Sequence, residues 1–429
     1  MTFQILALRY TRDMSTVTPA AVSPASLKSD ATIISLVGFA HGTSHFFHLM
    51  LPSLFPWFMS DFGLGYAQVG VLMTVFFVVS GIGQAIAGIW VDKFGAHRVL
   101  CTGVGLLACS GVLVSIAPGF GALMAAAAVA GVGNSVFHPA DFALLAKRVS
   151  QQRMGHAFST HGIAGNLGWA IAPVFMTAIA SQAGWRAAGL GAALFGALSL
   201  ALLIWRRDLL QHELAHQTGA APAASGIASS TRSTWSFLRE PMVWFAFAFF
   251  LFSTFGFGAL QNFAPPLLRE LFGLSLAAST SALSIYLLGG SAGLVLGGFL
   301  AKPGNRHERY VMFAFSSGVV LAIALALLPM PVWLVLPTMA LMGFGVGIAG
   351  PSRDLLVRAA TKARLGEGAF GRVYGMVYSG LDVGLALSPI AFGMLLDRHL
   401  PSMVFIGVAV TLACAIVAAL ALGREVREG

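Results

Sequence analysis

Charged side chains are scarce in this sequence of 429 residues. Lys, Arg, Asp and Glu together make up 10% of it, whereas 57% of the residues are hydrophobic. A water-soluble chain needs far more polar side chains to cover its surface, and the mean hydropathy of +0.83 is too high for one. We therefore predict an integral membrane protein.

Cysteine is also scarce, and Cys101, Cys109 and Cys414 stand singly within apolar segments. This spacing fits neither a disulfide framework nor a Cys-x-x-Cys metal site. A phosphate-binding loop of the GxxxxGK(S/T) type is absent as well, which argues against ATP-driven pumping by this chain alone. We expect no cofactor.

Apolar runs of about 20 residues, the length that crosses a hydrocarbon core of ~30 Å, recur along the chain and predict an all-α membrane protein of twelve transmembrane helices. The runs are 32–58, 68–91, 97–117, 121–146, 155–181, 187–205, 241–268, 277–301, 309–328, 332–357, 371–396 and 400–422.

The polar segments between and around these runs predict the domain organisation. The first 30 residues lack an apolar run, and the stretch between the sixth and seventh runs is rich in Ala, Ser, Thr and His. We predict a disordered cytoplasmic tail (1–30), a six-helix bundle (31–206), a cytoplasmic linker (207–240), a second six-helix bundle (241–422) and a short cytoplasmic tail (423–429).

The positions of the basic residues predict the orientation. A net charge of +9 could indicate nucleic-acid binding, but most Lys and Arg residues lie in the loops between the predicted spans. Only Arg186, Arg269 and Arg398 of the 25 basic residues fall on one side, which leaves 22 (25 minus 3) on the side of the termini. The positive-inside rule therefore predicts that both termini are cytoplasmic. We expect a lipid bilayer as a partner, and no nucleic acid.

The two halves of the sequence repeat each other. Phe62–Leu64 returns as Phe272–Leu274, 210 residues on, and Gly131 returns as Gly343, 212 residues on. Because each repeat has six spans, the halves have the same topology and are related by a pseudo-two-fold axis along the membrane normal. We therefore expect a binding site between the halves, near the midplane of the membrane.

A recognisable loop follows the second span, with the sequence Gly88-Ile-Trp-Val-Asp92-Lys93-Phe-Gly95-Ala-His-Arg98. It resembles the GxxxD(R/K)xGxx(R/K) signature of the major facilitator superfamily. The glycine permits close helix approach, the aspartate can accept hydrogen bonds from a neighbouring helix end, and the basic residues hold the loop at the interface. We expect a conformational latch; the alternative is an ordinary positive-inside turn.

Several segments resemble the fosmidomycin-resistance branch of that superfamily, notably Phe137-His138-Pro139 in span four and Ser44-His45-Phe46 in span one. The resemblance extends over the whole transmembrane part. It implies an exporter of twelve helices that exchanges a small drug-like or metabolite molecule for protons. It does not transfer a coupling residue, because the Arg that many antiporters keep in span four is replaced here by Ala126.

Small residues form a stripe on span five. Gly165 and Gly168 follow His161 at spacings of four and seven and so share its face, and Pro173 comes later in the same span. The stripe resembles an antiporter signature. We expect it to let span five approach a helix of the other half, the alternative being helix packing without directional meaning.

Histidines are concentrated in the spans of the first half, and the spans of the second half contain none. The spacing of His41, His45 and His48 places them on one helix face. We predict substrate or proton binding, with structural hydrogen bonds as the alternative. A metal site is disfavoured, since no acidic or cysteine partner accompanies these histidines along the sequence. The first-half histidines are His41, His45, His48, His138, His156 and His161, of which all but His156 are site candidates.

One acidic residue lies near the middle of a predicted span. Asp382 is in span eleven and follows Tyr374 and Tyr378 at steps of four, and its counterpart in the first repeat is Asn166. An ionisable group at this depth is expensive unless it faces water or a partner, so function is the default hypothesis. We predict that these four residues bind substrate or protons.

Asp141, one turn beyond a histidine of span four, is the other acidic candidate, although it could instead pair with Lys147 or Arg148. Gln261 and Asn262 in span seven are candidates for neutral hydrogen bonds to the cavity.

The sequence thus predicts a proton-coupled secondary transporter of the bacterial inner membrane, monomeric, exporting a small molecule by alternating access. One alternative is a symporter that imports a small organic anion with protons. A membrane-embedded histidine-dependent enzyme is the alternative from another class.

Overall fold

The computed structural model describes residues 27–211, 236–301, 306–366 and 370–428, and this part of the chain is helical without strands. Most of the predicted amino-terminal tail and of the predicted linker lies outside the described residues.

The helices of the first half are α1 (Leu27–His48), α2 (Met50–Phe62), α3 (Tyr66–Phe94), α4 (Ala96–Ser115), α5 (Phe120–Asn134), α6 (Phe137–Arg148), α7 (Met154–Trp205) and α8 (Arg207–Gln211). The helices of the second half are α9 (Pro241–Phe272), α10 (Leu276–Leu300), α11 (His307–Leu327), α12 (Val332–Leu365), α13 (Phe370–Asp397) and α14 (Pro401–Glu428).

These helices make twelve membrane crossings, as predicted. Ten helical stretches are long and apolar enough to span a bilayer. One of them, Gln151–Trp205, has 55 residues, which is about 80 Å of helix at 1.5 Å per residue and too long for one crossing. It reverses at Gly184, whose φ of +83° suits glycine, and therefore contributes two. The twelfth crossing is formed by α1 and α2 together.

Two of the crossings are broken in mid-span, and each break lies three residues before a proline. Helix α1 gives way to α2 at Leu49, before Pro52, and α5 gives way to α6 near Val136, before Pro139. A proline cannot donate its backbone nitrogen to the carbonyl four residues earlier and clashes with it. The missing hydrogen bond weakens the helix at both positions, although α12 continues through Pro351, the repeat counterpart of Pro139.

The predicted internal repeat appears as repeated packing. Gly131 of α5 lies against the backbone carbonyl of Phe76 in α3, and Gly343 of α12 lies in the same way against the carbonyl of Tyr286 in α10. Phe76 and Tyr286 are themselves 210 residues apart. The halves meet mainly through α3 with α13 and α7 with α10. A two-fold axis along the membrane normal exchanges these two pairs, so the predicted arrangement of two six-helix bundles is confirmed.

The halves touch near one face of the molecule. We call the face that carries the described chain ends the terminal face and the opposite one the distal face. Toward the distal face, Thr74 of α3 donates to the Ala386 carbonyl of α13 at 2.6 Å. Toward the terminal face, a side chain at Gly88 or at its repeat counterpart Gly298 would meet no atom within 4 Å, and Trp90 is exposed. The cleft between the halves is therefore open toward the terminal face.

Two helix ends differ from the predicted domain bounds. Helix α1 begins at Leu27, within the predicted tail, and α14 continues to Glu428 through most of the predicted carboxyl-terminal tail. An ion pair of 2.7 Å between Arg427 and the largely buried Glu308 ties the last turn of α14 to the start of α11, which accounts for the added helix.

Candidate functional site

Three helices of the first half bring histidines together with one carboxylate. Helix α1 supplies His41, α6 supplies His138 and Asp141, and the first crossing of α7 supplies His161; we call these four residues the histidine cluster. Helix α1 packs along α7 and against α6. Residues more than 100 positions apart in the sequence are thereby placed in contact.

Asp141 is the centre of this cluster and is completely buried. Its Oδ2 accepts hydrogen bonds from His41 Nδ1 at 3.1 Å and from His161 Nε2 at 3.0 Å. Its Oδ1 is buried too and has no hydrogen-bond partner among the described residues. The carboxylate thus binds histidines, which was not foreseen from the sequence, where pairing with nearby basic residues was the alternative.

Two of the three imidazole rings in the cluster are stacked, and the third is tilted against them. His41 lies on His161 with ring centroids 3.5 Å apart and an angle of 23° between the planes. The ring of His138 is 5.3 Å from that of His41 and is exposed, whereas His41 and His161 are buried. Ligand nitrogens of these three histidines lie within 4.8 Å of one another. The cluster therefore has one accessible edge and could hold a metal ion.

A second polar group continues from the cluster along α1. The ring of His45 stacks on that of Trp169 with centroids 4.1 Å apart, and it contacts the ring of His41 at 4.4 Å with the planes tilted by 51°. Trp169 Nε1 lies 3.2 Å from His48 Nδ1, and because an indole nitrogen only donates, Nδ1 of His48 must be the acceptor. The proton of His48 is then on Nε2, which donates to Asn134 Oδ1 at 2.8 Å. In this arrangement His48 is neutral, and its two hydrogen bonds agree with the alternative that this histidine makes structural hydrogen bonds.

The series of hydrogen bonds from Trp169 through His48 to Asn134 ends on α3. Asn134 Nδ2 donates to Ser80 Oγ at 2.8 Å. The next residue, Gly81, faces Asp382 of α13, because a Cβ at Gly81 would lie 3.5 Å from Asp382 Oδ2. The mid-membrane acid of the second half therefore lies across α3 from the polar residues of the first half.

Asp382 itself is partly exposed and makes no hydrogen bond or ion pair within the described part of the chain. Tyr378, one turn away on α13, is 37% exposed and packs its ring 4.9 Å from that of Phe250. The predicted partner Tyr374 has a side chain outside the described set. Asn166, the repeat counterpart of Asp382, is also partly exposed. Asp382 thus borders the cleft, and none of the described side chains gives it a counter-charge.

The two amide candidates of span seven are buried. Asn262 Nδ2 donates to the Gly258 carbonyl of its own helix at 2.7 Å. Gln261 lines a small void between the halves, together with Pro52 and Pro173. Gln261 Nε2 and Asn262 Oδ1 have no hydrogen-bond partner among the described residues. These residues lie in the closed contact between the halves.

The glycine stripe of span five packs differently from the expectation. A Cβ at Gly168 would overlap the Gly42 carbonyl of α1, and one at Gly165 would lie 2.7 Å from the His45 ring. Both glycines therefore bring α7 close to α1 of the same half, and the predicted approach to the other half is wrong for them. The reason is that α1 and α7 lie side by side in the bundle. Pro173 alone reaches the boundary between the halves.

The loop motif between spans two and three makes no latch in this conformation. Asp92, Lys93 and Arg98 are exposed, and Asp92 has no hydrogen bond or ion pair among the described residues. The close helix approach expected at Gly88 is not made, because the halves are apart at the terminal face. Gly95 has φ of +86° and ends α3 with its N–H on the Val91 carbonyl at 2.9 Å, which glycine allows.

Sequence reasoning missed a contact that joins the halves at the distal face. The carboxylate of Asp397, at the end of α13, accepts hydrogen bonds from the backbone N–H groups of Tyr66 at 2.6 Å and Ala67 at 3.0 Å. Gly65 precedes α3 and has no side chain to cap it, so Asp397 caps α3 from the other half. The uncapped helix start was the only signal, and it did not point to Asp397.

Comparisons with known proteins agree with this architecture. Residues 34–369 match the sequence profile of the Major Facilitator Superfamily. The chain is 26% identical over 328 residues to the fosmidomycin resistance protein of Escherichia coli K12, covering 76% of each chain. It is 27% identical over 363 residues to the membrane sensor protein UhpC of the same organism, covering 78% of this chain and 79% of that one.

A solved structure shows the same fold. A bacterial homologue of the human lysosomal transporter Spinster, in an inward-facing and unoccupied conformation, superposes with a TM-score of 0.73 at 16% identity, over 94% of this chain and 98% of that one. Family and fold are those of membrane transporters, which sets the enzyme alternative aside. With twelve crossings in two repeated halves and a profile match over most of its length, the chain belongs to the Major Facilitator Superfamily.

Proposed function

We propose that this protein is a secondary transporter that exports a small molecule in exchange for protons, with Asp382 as the proton carrier. The observation that carries the proposal is the position of Asp382. It is a carboxylate in mid-span, at the contact between the halves, with no counter-charge among the described residues.

This position couples protonation to alternating access. While the cleft is open, water can solvate an ionised Asp382. Closing the cleft at the terminal face would draw α3 and α13 together around it, with Gly81 giving room for the approach. An ionised carboxylate left without water or a partner is expensive in the membrane. Asp382 would therefore have to be protonated, or to bind a cationic group of the cargo, before the halves can close.

Direction and location are supported by the sequence and by one relative. The excess of basic residues at the terminal face supports a cytoplasmic location for that face in a bacterial inner membrane. The open cleft would then receive cargo from inside the cell. The relative named for fosmidomycin resistance is consistent with export of a drug-like molecule. We propose a monomer, because one chain holds both halves of the site.

Growth and transport experiments test the proposal. A deletion strain and an overexpressing strain would be compared on a panel of antibiotics and metabolites that begins with fosmidomycin. We expect overexpression to raise tolerance to at least one compound and to lower its accumulation. In everted vesicles that have been acidified inside, addition of this compound should release protons.

Two results would contradict the proposal. Accumulation that rises with overexpression would favour the importing symporter. Transport that continues at the same rate after a protonophore has collapsed the gradient, with no other ion gradient present, would refute proton coupling.

A further inference from the structure

The histidine cluster has the composition and spacing of a transition-metal site. We infer that His41, His138, His161 and Asp141 bind one divalent transition-metal ion of the Zn²⁺ type. Neutral imidazole and carboxylate are the ligands that such ions take in proteins, commonly four of them in tetrahedral geometry. The inference concerns the first half alone and does not rest on the role proposed for Asp382.

The spacing of three ligand atoms already suits coordination. Asp141 Oδ2 is 3.1 Å from His41 Nδ1 and 3.0 Å from His161 Nε2. Tetrahedral ligands at roughly 2.0–2.1 Å from Zn²⁺ lie about 3.3 Å from one another. An ion bound beside Asp141 Oδ2 would replace the two protons that this oxygen shares with the histidines.

The buried carboxylate also lacks a partner that an ion would supply. Asp141 is completely buried, and its Oδ1 has no hydrogen bond within the described residues. A buried carboxylate oxygen without a partner is costly. A divalent ion would neutralise the carboxylate and would give both of its oxygens a positive neighbour.

His138 supplies the fourth ligand and the way in. Its ring is exposed, whereas the other three members of the cluster are buried. The ligand nitrogens of the three histidines lie within 4.8 Å of one another. Because an exposed side chain can rotate, His138 can approach the ~3.3 Å that separates neighbouring ligands of a tetrahedral ion.

The acid of the cluster is on a different helix from the histidines of span one, so the sequence did not show it beside them. Along the chain, no carboxylate or cysteine accompanies the histidines of span one. In the fold, Asp141 of α6 lies between His41 of α1 and His161 of α7.

Metal titration of the purified full-length protein tests the inference. The protein would carry a purification tag without histidine and would be stripped with a chelator before titration calorimetry with Zn²⁺. Co²⁺ binding would be followed by visible absorption, which reports the coordination geometry. We expect one ion per chain and a tetrahedral Co²⁺ spectrum.

Matched variants locate the site. His138→Ala removes an exposed ligand and should leave the fold intact, but should weaken Zn²⁺ binding at least about tenfold, the lower end of what loss of an outer-shell partner costs. His156→Ala, which removes an exposed histidine of α7 outside the cluster, should bind like the wild type. So should Asp382→Asn, whatever its transport activity.

Three results would overturn the inference. The first is that the wild-type protein does not bind Zn²⁺. The second is that His138→Ala binds Zn²⁺ as tightly as the wild type. The third is that His138→Ala and His156→Ala lose Zn²⁺ affinity to the same extent. Because Asp382→Asn is assayed for both binding and transport, loss of the metal site and loss of proton coupling are separate observations.

Discussion

The cap that Asp397 places on α3 should control how readily the distal face opens. In the state described here, this carboxylate accepts two backbone hydrogen bonds across the boundary between the halves. Replacing a capping aspartate by alanine costs about 0.5–2 kcal/mol. Asp397 is exposed, so water compensates part of the loss and we take about 1 kcal/mol. That energy corresponds to a shift of roughly fivefold in the equilibrium between conformations.

Spin labels on the distal loops of the two halves would measure this shift. Cysteines introduced at Pro118 and Pro329, in a background without the native cysteines, would report the separation of the halves by double electron–electron resonance. Asp397→Ala should increase the long-distance population, which corresponds to the open distal face, by roughly fivefold.

The matched control is Asp61→Ala. Asp61 accepts from Trp185 Nε1 at 2.7 Å within the first half, so its removal should leave the distance distribution unchanged. A distribution that Asp397→Ala does not alter, or that both variants alter equally, would refute the assignment of Asp397 as a link between the halves.

Three further predictions concern the terminal loop, the helix packing and the terminal face. Asp92→Asn should leave the state with an open terminal face at least as populated as in the wild type, because Asp92 makes no hydrogen bond or ion pair with the described residues in this state. Label distances across the terminal face would measure the populations, and an increase in the closed state would contradict a latch. Gly168→Ala should destabilise the protein by about 1–3 kcal/mol, because the added Cβ overlaps the neighbouring helix. Gly162→Ala should not destabilise it, since a Cβ there would meet no atom within 4 Å. Thermal unfolding of both variants in detergent would measure the difference. Burial would raise the pKa of Asp30, but hydrogen bonds from Ser150 and the charge of Arg153 hold it below its ordinary value of 3.8. The ionised Asp30 therefore stabilises the folded protein above about pH 4, and this stabilisation is lost as the pH falls through the lowered pKa. Asp30→Asn should lower the unfolding temperature most at neutral pH and less in acid.

The number of helices and their division into two repeated halves could be predicted because lipid restricts the possibilities. Apolar length fixes each crossing, and the repeat of Gly131 as Gly343 at a constant offset required the same packing in both halves. The breaks at Leu49 and Val136 were not predicted, because a proline three residues later does not by itself end a helix, as Pro351 within α12 shows. Span length depends on residues that are neighbours in the sequence, and the repeat depends on a nearly constant offset between the two halves.

Partners across helices could not be predicted. The sequence identified Asp141 and the histidines as candidates, but spacing along one helix does not say which face of α6 meets α1. The same limit applied to Gly168, whose close contact proved to be with Gly42 of its own half. Asp397 went unnoticed because its partners are backbone groups, which leave no signature in the sequence.

The most direct test of the central claim compares uphill transport with exchange in Asp382→Asn. Wild type and variant would be reconstituted in the same kind of proteoliposome and assayed with the compound that the wild type exports, fosmidomycin being tried first. Asparagine imitates the protonated side chain but cannot release a proton. We predict that the variant loses accumulation driven by a proton gradient and keeps counterflow of the compound. Accumulation at the wild-type rate would contradict the account, since the coupling proton would then be carried elsewhere.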